Sequence, residues 1–270
     1  VLEDMGFEIE ASHHENAAGQ HEIDFKYSDV MTAADRIMTF KMVVKTVAQR
    51  NGLHATFMPK PIFNSYGSGM HINMSLSKDG KNVFNAGESS MDISDIAKMF
   101  CAGILEHAKG ITAVANPLVN SYKRFVPGFE APVHIAWSHM NRSLLLRIPA
   151  QKGESSRVEL RSPDPSCNPY LTLALLLAAG LDGLEKKMKI PAPVDINTYN
   201  LSPDKEKELG IQRLPSNLYQ ALEEMKKDPF IKEVLGEHIY AKYIAAKEAE
   251  WAEYSNTVHS WEIERYLSAY

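Results

Sequence analysis

The run that follows Asn168-Pro169 constrains the fold more than any other stretch of the chain. Asn168 offers a side-chain acceptor to the unpaired amides of a first helical turn, and Pro169 stands where a missing N–H costs nothing, so a helix starts here. Over 171–179 the helix is apolar on nearly every side, which predicts burial all round rather than along one stripe. Only a layered domain can supply that cover. The apolar stretch 170–181 falls well short of the ~20 residues needed to cross a bilayer, so it reads as a core helix. With 270 residues, 44% of them hydrophobic, the chain is large enough to bury it.

The flanking sequence supplies the layers. Segments 7–15 and 20–28 alternate in the strand manner around Ala17-Ala18-Gly19 and predict a hairpin. Ile37, Phe40, Val43, Val44 and Val47 recur at helical spacing, predicting a helix from Asp29 to about Arg50 that stops at Asn51-Gly52 and packs on the sheet. The stretch 54–59 reads as a short strand ended by Pro59-Lys60-Pro61. Tyr66-Gly67-Ser68-Gly69 opens another over 70–77, with Asp79-Gly80 as a turn. A helix is expected over 93–108, a long polar loop over 116–132, and strands near 134–137, 144–148 and 157–161. From about 191 the composition turns Pro- and charge-rich, then amphipathic-helical from about Leu218 to the end. Antiparallel strands with helices on one side predict an α+β fold. Val1 to Gly6 reads as the last turn of a helix with Gly6 as its cap, so the chain is expected to begin inside an element, as a fragment.

The net charge of -5, with no cluster of Lys and Arg interleaved with aromatics, excludes a nucleic-acid footprint. Cys101 and Cys167 cannot form a disulfide framework or a structural zinc site, which suits a reducing, cytoplasmic setting. No signal peptide or membrane span is read.

Four groups of residues carry chemistry. If Ala18-Gly19 form a two-residue tip, Glu15 and Glu22 stand opposite each other, about 4.5–5.5 Å apart at Cβ, and a hard divalent cation would turn their repulsion into a ligand pair. In another register both are solvated surface glutamates. In Arg157-Val158-Glu159-Leu160-Arg161, strand alternation puts the three charged residues on one face, as for a carboxylate on a cation flanked by guanidinium forks for anions, or as an exposed ion-pair ladder. Gly67-Ser68-Gly69-Met70-His71 lets backbone approach a ligand and offers a neutral imidazole to a metal, though a lone histidine beside such a turn is also an ordinary loop residue. The loop around Arg124, with Arg142, Arg147, Arg157 and Arg161, provides a guanidinium set suited to an anionic substrate, or simply surface arginines.

Read together, these pieces resemble the glutamine synthetase family in its bacterial and archaeal class I form. The resemblance runs over essentially the whole chain: Ala11-Ser12-His13-His14-Glu15 with Gly19-Gln20-His21-Glu22, Ala55-Thr56-Phe57-Met58-Pro59-Lys60-Pro61, Gly67-Ser68-Gly69-Met70-His71, Asn116-Pro117, Asn120-Ser121-Tyr122-Lys123-Arg124, Asn141-Arg142-Ser143 with Arg147-Ile148-Pro149, and Arg157-Val158-Glu159-Leu160-Arg161 with Asp164-Pro165. It implies one catalytic domain over 1–270 with a mainly helical part from about 191, built on a curved antiparallel sheet, a partial barrel, flanked by helices. It implies glutamate–ammonia ligation through γ-glutamyl phosphate, with ATP and Mg2+ or Mn2+ as cofactors. Glu15 and Glu22 would belong to one metal site, His71 and Glu159 to the other. Arg124 and Arg161 would clamp glutamate, with Gly67 and His71 lining the same pocket. Arg142 would stabilise the transferred phosphoryl group, Arg147 and Arg157 would contact the nucleotide phosphates, and Tyr27 and Ser75 would hold adenine. Glu130 would be the flap residue that closes the site and helps to deprotonate ammonium. The partners implied are glutamate, ammonia, ATP and further copies of the chain in a dodecamer, with no nucleic acid and no membrane.

The sequence departs from the family at Tyr66, where Asn is usual. Two further metal-binding glutamates and a small amino-terminal domain would lie upstream of residue 1, so little turnover is expected of the chain alone. Tyr199 lies where some members are adenylylated. A relative using a larger amine, and a folded but inactive scaffold, are the alternatives to the ammonia ligase.

Overall fold

In the computed structural model the description covers residues 1–87, 92–126, 128–129, 131–196, 198 and 201–270. A short 3-10 turn, Glu3–Met5, ends at Gly6 with φ +84°, whose amide donates to the Glu3 carbonyl. The left-handed geometry there is the one glycine adopts without strain. β1 (Ile9–His14) and β2 (His21–Phe25) pair antiparallel. Their tip corrects the expected two-residue turn: the Gln20 amide donates to Ala17 and the Glu15 amide to Gln20. His13 therefore faces Glu22, and Glu15 lies diagonal to it rather than directly opposite. Gly19, at φ +71°, takes the left-handed position of a longer loop. Because the slip is by two residues, both glutamates keep the same face.

α1 (Val30–Arg50) starts where Asp29 accepts the amides of Met31 and Thr32 and stops at Asn51. Its Phe40 ring meets Phe25 of the hairpin at 5.8 Å and Phe57 at 5.9 Å. The segment 54–59 forms no ladder, contrary to the expected strand; Phe57 is held by ring packing on α1 instead. The strand expected over 70–77 is divided into β3 (Ile72–Met74) and β4 (Ser77–Lys78), the latter returning through Asp79-Gly80 to β5 (Lys81–Asn82). α2 (Asp95–Ala115) runs seven residues past the expected end, since Ile111, Ala113, Val114 and Ala115 are all buried. The expected polar loop contains a 3-10 helix, Val119–Arg124.

Next come β6 (His134–Ile135), β7 (Trp137–His139), β8 (Leu146–Ile148) and β9 (Val158–Leu160), then the core helix α3 (Pro169–Glu185). α4 (Pro203–Leu209), β10 (Gln212–Arg213), α5 (Leu218–Lys227), α6 (Pro229–Asn256) and α7 (Ser260–Tyr266) complete the chain. α3 is capped by Asn168 as the sequence dictates. Leu173, Leu175, Leu176 and Ala179 are buried, but Ala174 is exposed and Leu171 and Leu177 are half-buried, so the expected cover on every side is incomplete.

The α+β class holds. One four-stranded sheet runs β3-β9-β8-β7, and the other ladders are two-stranded, so the sheets are not closed into a barrel. Among the described residues every ladder is antiparallel except β7 on β8, which is parallel. α2 and α3 cross at almost bare backbone: a Cβ on Gly103 would lie 1.9 Å from the Ala179 carbonyl oxygen. α5 closes this layer with Leu218, Leu222 and Met225, all fully buried.

Candidate active site

The four-stranded sheet sets up the site through its register. Asn73 pairs with Glu159, Glu159 with Arg147, and Arg147 with Ser138. Alternation turns this polar row to one face, while Ile72, Leu160 and Leu146 enter the core on the other. Glu159 is only 5% exposed. Arg161 Nη1 donates to both of its oxygens at 3.2 Å, Arg147 forms an ion pair with it through Nε, and His71 Nδ1 lies 3.6 Å from Oε1. Two guanidinium groups and an imidazole thus share one carboxylate, a local surplus of positive charge.

The surplus adds to desolvation in setting the state of His71. Desolvation of its ring, then the charges of Arg161, Arg124, Arg147 and Arg142, hold it well below the usual histidine range. A neutral imidazole keeps a lone pair for a metal or a hydrogen bond. Arg142 is exposed, and its carbonyl accepts from Arg161 Nε at 3.1 Å, which ties the two arginines together.

Gly67 and Gly69 are where the structure needs bare backbone. A Cβ at Gly67 would stand 2.6 Å from the Pro59 carbonyl oxygen and 2.8 Å from Arg124 Cγ; at Gly69 it would stand 2.9 Å from Arg124 Nη2 and 3.1 Å from His71 Nε2. Arg124 is 4% exposed, and its Nη1 donates to the Ser162 carbonyl at 2.9 Å. Asn116 steadies the same turn, donating to Ser162 at 2.8 Å and to Asp164 at 3.0 Å.

The hairpin supplies the opposite charge. Burial, hydrogen bonding with Glu15, and the neighbouring Asp24 push the Glu22 carboxyl up to about 7. Carboxyl groups driven to share a proton are the donor set that a hard divalent cation satisfies in the proton's place. His13, Glu22 and Asp24 also bring ligand atoms within 4.8 Å of one another. These residues therefore fit a metal. His71 and Glu159 fit less well, because the Glu159 oxygens already accept from Arg161 and pair with Arg147. Gln20 Nε2 donates to the Gly67 carbonyl at 3.0 Å and so links the hairpin to the Gly-rich turn beside Arg124.

The remaining expected residues lie further out. Arg157 donates through Nε to Asn73 Oδ1 at 3.0 Å and through Nη1 to the Ser155 carbonyl at 3.3 Å. Tyr27, 84% exposed, follows β2, and exposed Ser75 follows β3. Glu130 and Tyr199 lie outside the described residues. Sequence reasoning missed His13, Gln20 and Asp24; strand alternation alone puts Asp24 on the face of Glu22, and a longer hairpin tip would have placed His13 opposite it.

Residues 1–266 match the family model described as glutamine synthetase, catalytic domain. The chain is 58% identical over 270 residues to a glutamine synthetase of Clostridium saccharobutylicum, covering all of this chain and 61% of that one. It is 56% identical over 266 residues to a glutamine synthetase of Thermus thermophilus, covering 98% of this chain and 60% of that one. A solved GmaS/ADP complex superimposes with a TM-score of 0.90 at 38% identity, over 99% of this chain and 62% of that chain; apo GmaS without ligand gives 0.88. The chain thus spans about 60% of the length of these relatives.

Proposed function

The chain belongs to the glutamine synthetase family, and on that premise we propose that the protein ligates ammonia to the side chain of glutamate at the expense of ATP. ATP phosphorylates the side-chain carboxylate to γ-glutamyl phosphate; ammonia then attacks the carbonyl carbon, and phosphate leaves. Such a reaction asks for little covalent chemistry from the protein and much positioning and charge neutralisation. The observation that carries the reading is the surplus of guanidinium groups around a single buried carboxylate, beside a neutral histidine.

Arg124 and Arg161 hold the substrate carboxylates, with the Gly67 backbone and His71 lining the pocket. Arg142 faces the transferred phosphoryl group, and Arg147 and Arg157 face the nucleotide phosphates, each matching oxygen pairs with its planar fork. Tyr27 and Ser75 take the adenine. Glu130 accepts the proton that ammonium must lose before it can attack. Mg2+ or Mn2+, held by Glu15 and Glu22 and by His71 and Glu159, supplies neutralisation of the phosphate charge when bound. The same reading carries a cytoplasmic location and assembly as a homo-oligomer, a dodecamer. Among the described residues no helix is long and apolar enough to cross a membrane.

Purified with its native ends and supplied with Mg2+ or Mn2+, the protein is expected to form ADP only when glutamate and ammonium are both present. ADP formation that ignores glutamate would sink the reading. A second reading, ligation of a larger amine, is favoured by Tyr66 standing where the family has Asn. Methylammonium matching ammonium in kcat/KM would establish it.

A further inference from the structure

Tyr66 has no task in the proposed ammonia ligation, and it has a defined partner. Its ring meets Phe129 edge-on, with centroids 5.7 Å apart and planes at 76°. On the same Phe129 ring lies the Lys60 ammonium, 4.0 Å from the centroid. Lys60 is itself pinned: its amide donates to Asn120 Oδ1 at 2.7 Å, its carbonyl accepts from Asn120 Nδ2 at 3.0 Å, and its ammonium donates to the Ser65 carbonyl. The ammonium of Lys60 is thus shared between the Ser65 carbonyl and the face of the Phe129 ring. Burial, then the Arg124 charge, push this lysine below its usual range.

Each member is tied through the chain to the surroundings of Arg124. Tyr66 precedes Gly67, whose backbone packs on Arg124 Cγ. The Ser68 amide donates to the Pro59 carbonyl, next to Lys60. Phe129 follows Arg124 by five residues, on a turn where its amide donates to Val126 at 3.3 Å. Arg124 is almost wholly covered, although a carboxylate ligand must reach its guanidinium. We propose that Tyr66, Phe129 and Lys60 form an aromatic–cation latch that pins the turn after Arg124 to the Gly67-Ser68-Gly69 turn and so sets how firmly a carboxylate is held at Arg124. An Asn in place of Tyr66 would have no ring edge to offer Phe129. Tyr66 acts through its neighbours and is a positioning residue.

The latch rests on geometry alone; its effect on glutamate rests on the proposed function. In the protein with its native ends, amide exchange at Phe129 is expected to rise about tenfold in Tyr66→Ala and in Phe129→Ala, and to stay within twofold in Tyr66→Phe, which keeps the ring and loses the hydroxyl. Exchange unchanged in Tyr66→Ala, or rising equally in Tyr66→Phe, would overturn the latch. In the same variants the KM for glutamate is expected to rise about tenfold in Tyr66→Ala with kcat within twofold, and Tyr66→Phe is expected to behave as the wild type. A fall in kcat at unchanged KM would overturn the positioning role. A wild-type protein without glutamate-dependent ADP formation would instead remove the proposed function, and the exchange rates would then decide the latch by themselves.

Discussion

His107 and His71 each sit beside carboxylate, yet their surroundings drive them to opposite states. In the helical layer, His107 on α2 is bracketed by Asp228 at 2.8 Å and Asp182 at 3.1 Å and lies flat on Phe230, with ring centroids 3.9 Å apart. Burial lowers its proton affinity, but the two hydrogen-bonded aspartates outweigh burial and raise it. On the polar face of the sheet, His71 has one carboxylate already claimed by guanidinium groups, and desolvation of its ring together with those positive charges keeps it neutral. The helices balance charge with charge, whereas the sheet face leaves positive charge to spare. Imbalance of this kind is costly for a fold and useful to an anionic ligand.

Removing the carboxylate that restrains the surplus tests the contrast most severely. Glu159→Ala leaves Arg147 and Arg161 facing each other with no counter-charge, and is expected to cost about 4 kcal/mol of stability. Added sulfate or phosphate should restore part of that loss, since an anion can take the vacant place. Denaturant unfolding with and without sulfate measures both effects. A loss indifferent to anions would mean that packing, rather than charge, accounts for it.

Separating the helices attacks the balanced region instead. Gly103 lies one turn before His107, and any Cβ there meets the backbone of α3, which cannot yield. Gly103→Ala is expected to cost on the order of 3 kcal/mol through overpacking. Because it parts α2 from α3, it should also expose His107 to solvent, visible as its ring titration returning toward that of a free histidine.

The third effect is a dependence on pH. A histidine whose folded proton affinity is raised contributes stability that is complete below the free value of about 6.5 and is lost as pH rises through the higher folded value. The wild type should therefore weaken from neutral pH upward through that window. His107→Gln should flatten the dependence there and cost about 2 kcal/mol at pH 6, the usual worth of hydrogen bonds to a charged partner. Thermal unfolding of both proteins across that window gives the comparison.

What the sequence reveals differs between the two regions for the same physical reason. The start of α3 is local: Asn168 and Pro169 determine it within one turn. The face of Glu159 is local too, since strand alternation needs only its neighbours. The extension of α2 is hidden because Gly110 and Thr112 interrupt the apolar pattern, and only the facing helix gives a glycine at 110 its purpose: Ile231 packs where its side chain would be. The hairpin register depends on Gly19 taking left-handed geometry and on Gln20 reaching Gly67, contacts that no period can report. The parallel pairing of β7 with β8 is likewise a long-range outcome, as is the gathering of Arg124, Arg147 and Arg161 around His71.

The smallest expected effect sharpens the comparison at its edge. Arg157 lies at the rim of the polar row, half-exposed, and among the described residues bonds Asn73 and a backbone carbonyl but no carboxylate. Surface charges so placed contribute little to folding, so Arg157→Ala should change stability by less than about 0.5 kcal/mol. If the positive surplus exists for nucleotide phosphates, the same variant should raise the KM for ATP several-fold while leaving that for glutamate within twofold. Equal changes in both constants would make Arg157 a general electrostatic contributor, and no change in either would place it outside the site. Only a residue kept for its ligand rather than its fold gives the first pattern, and the rim of the polar row is where such residues belong.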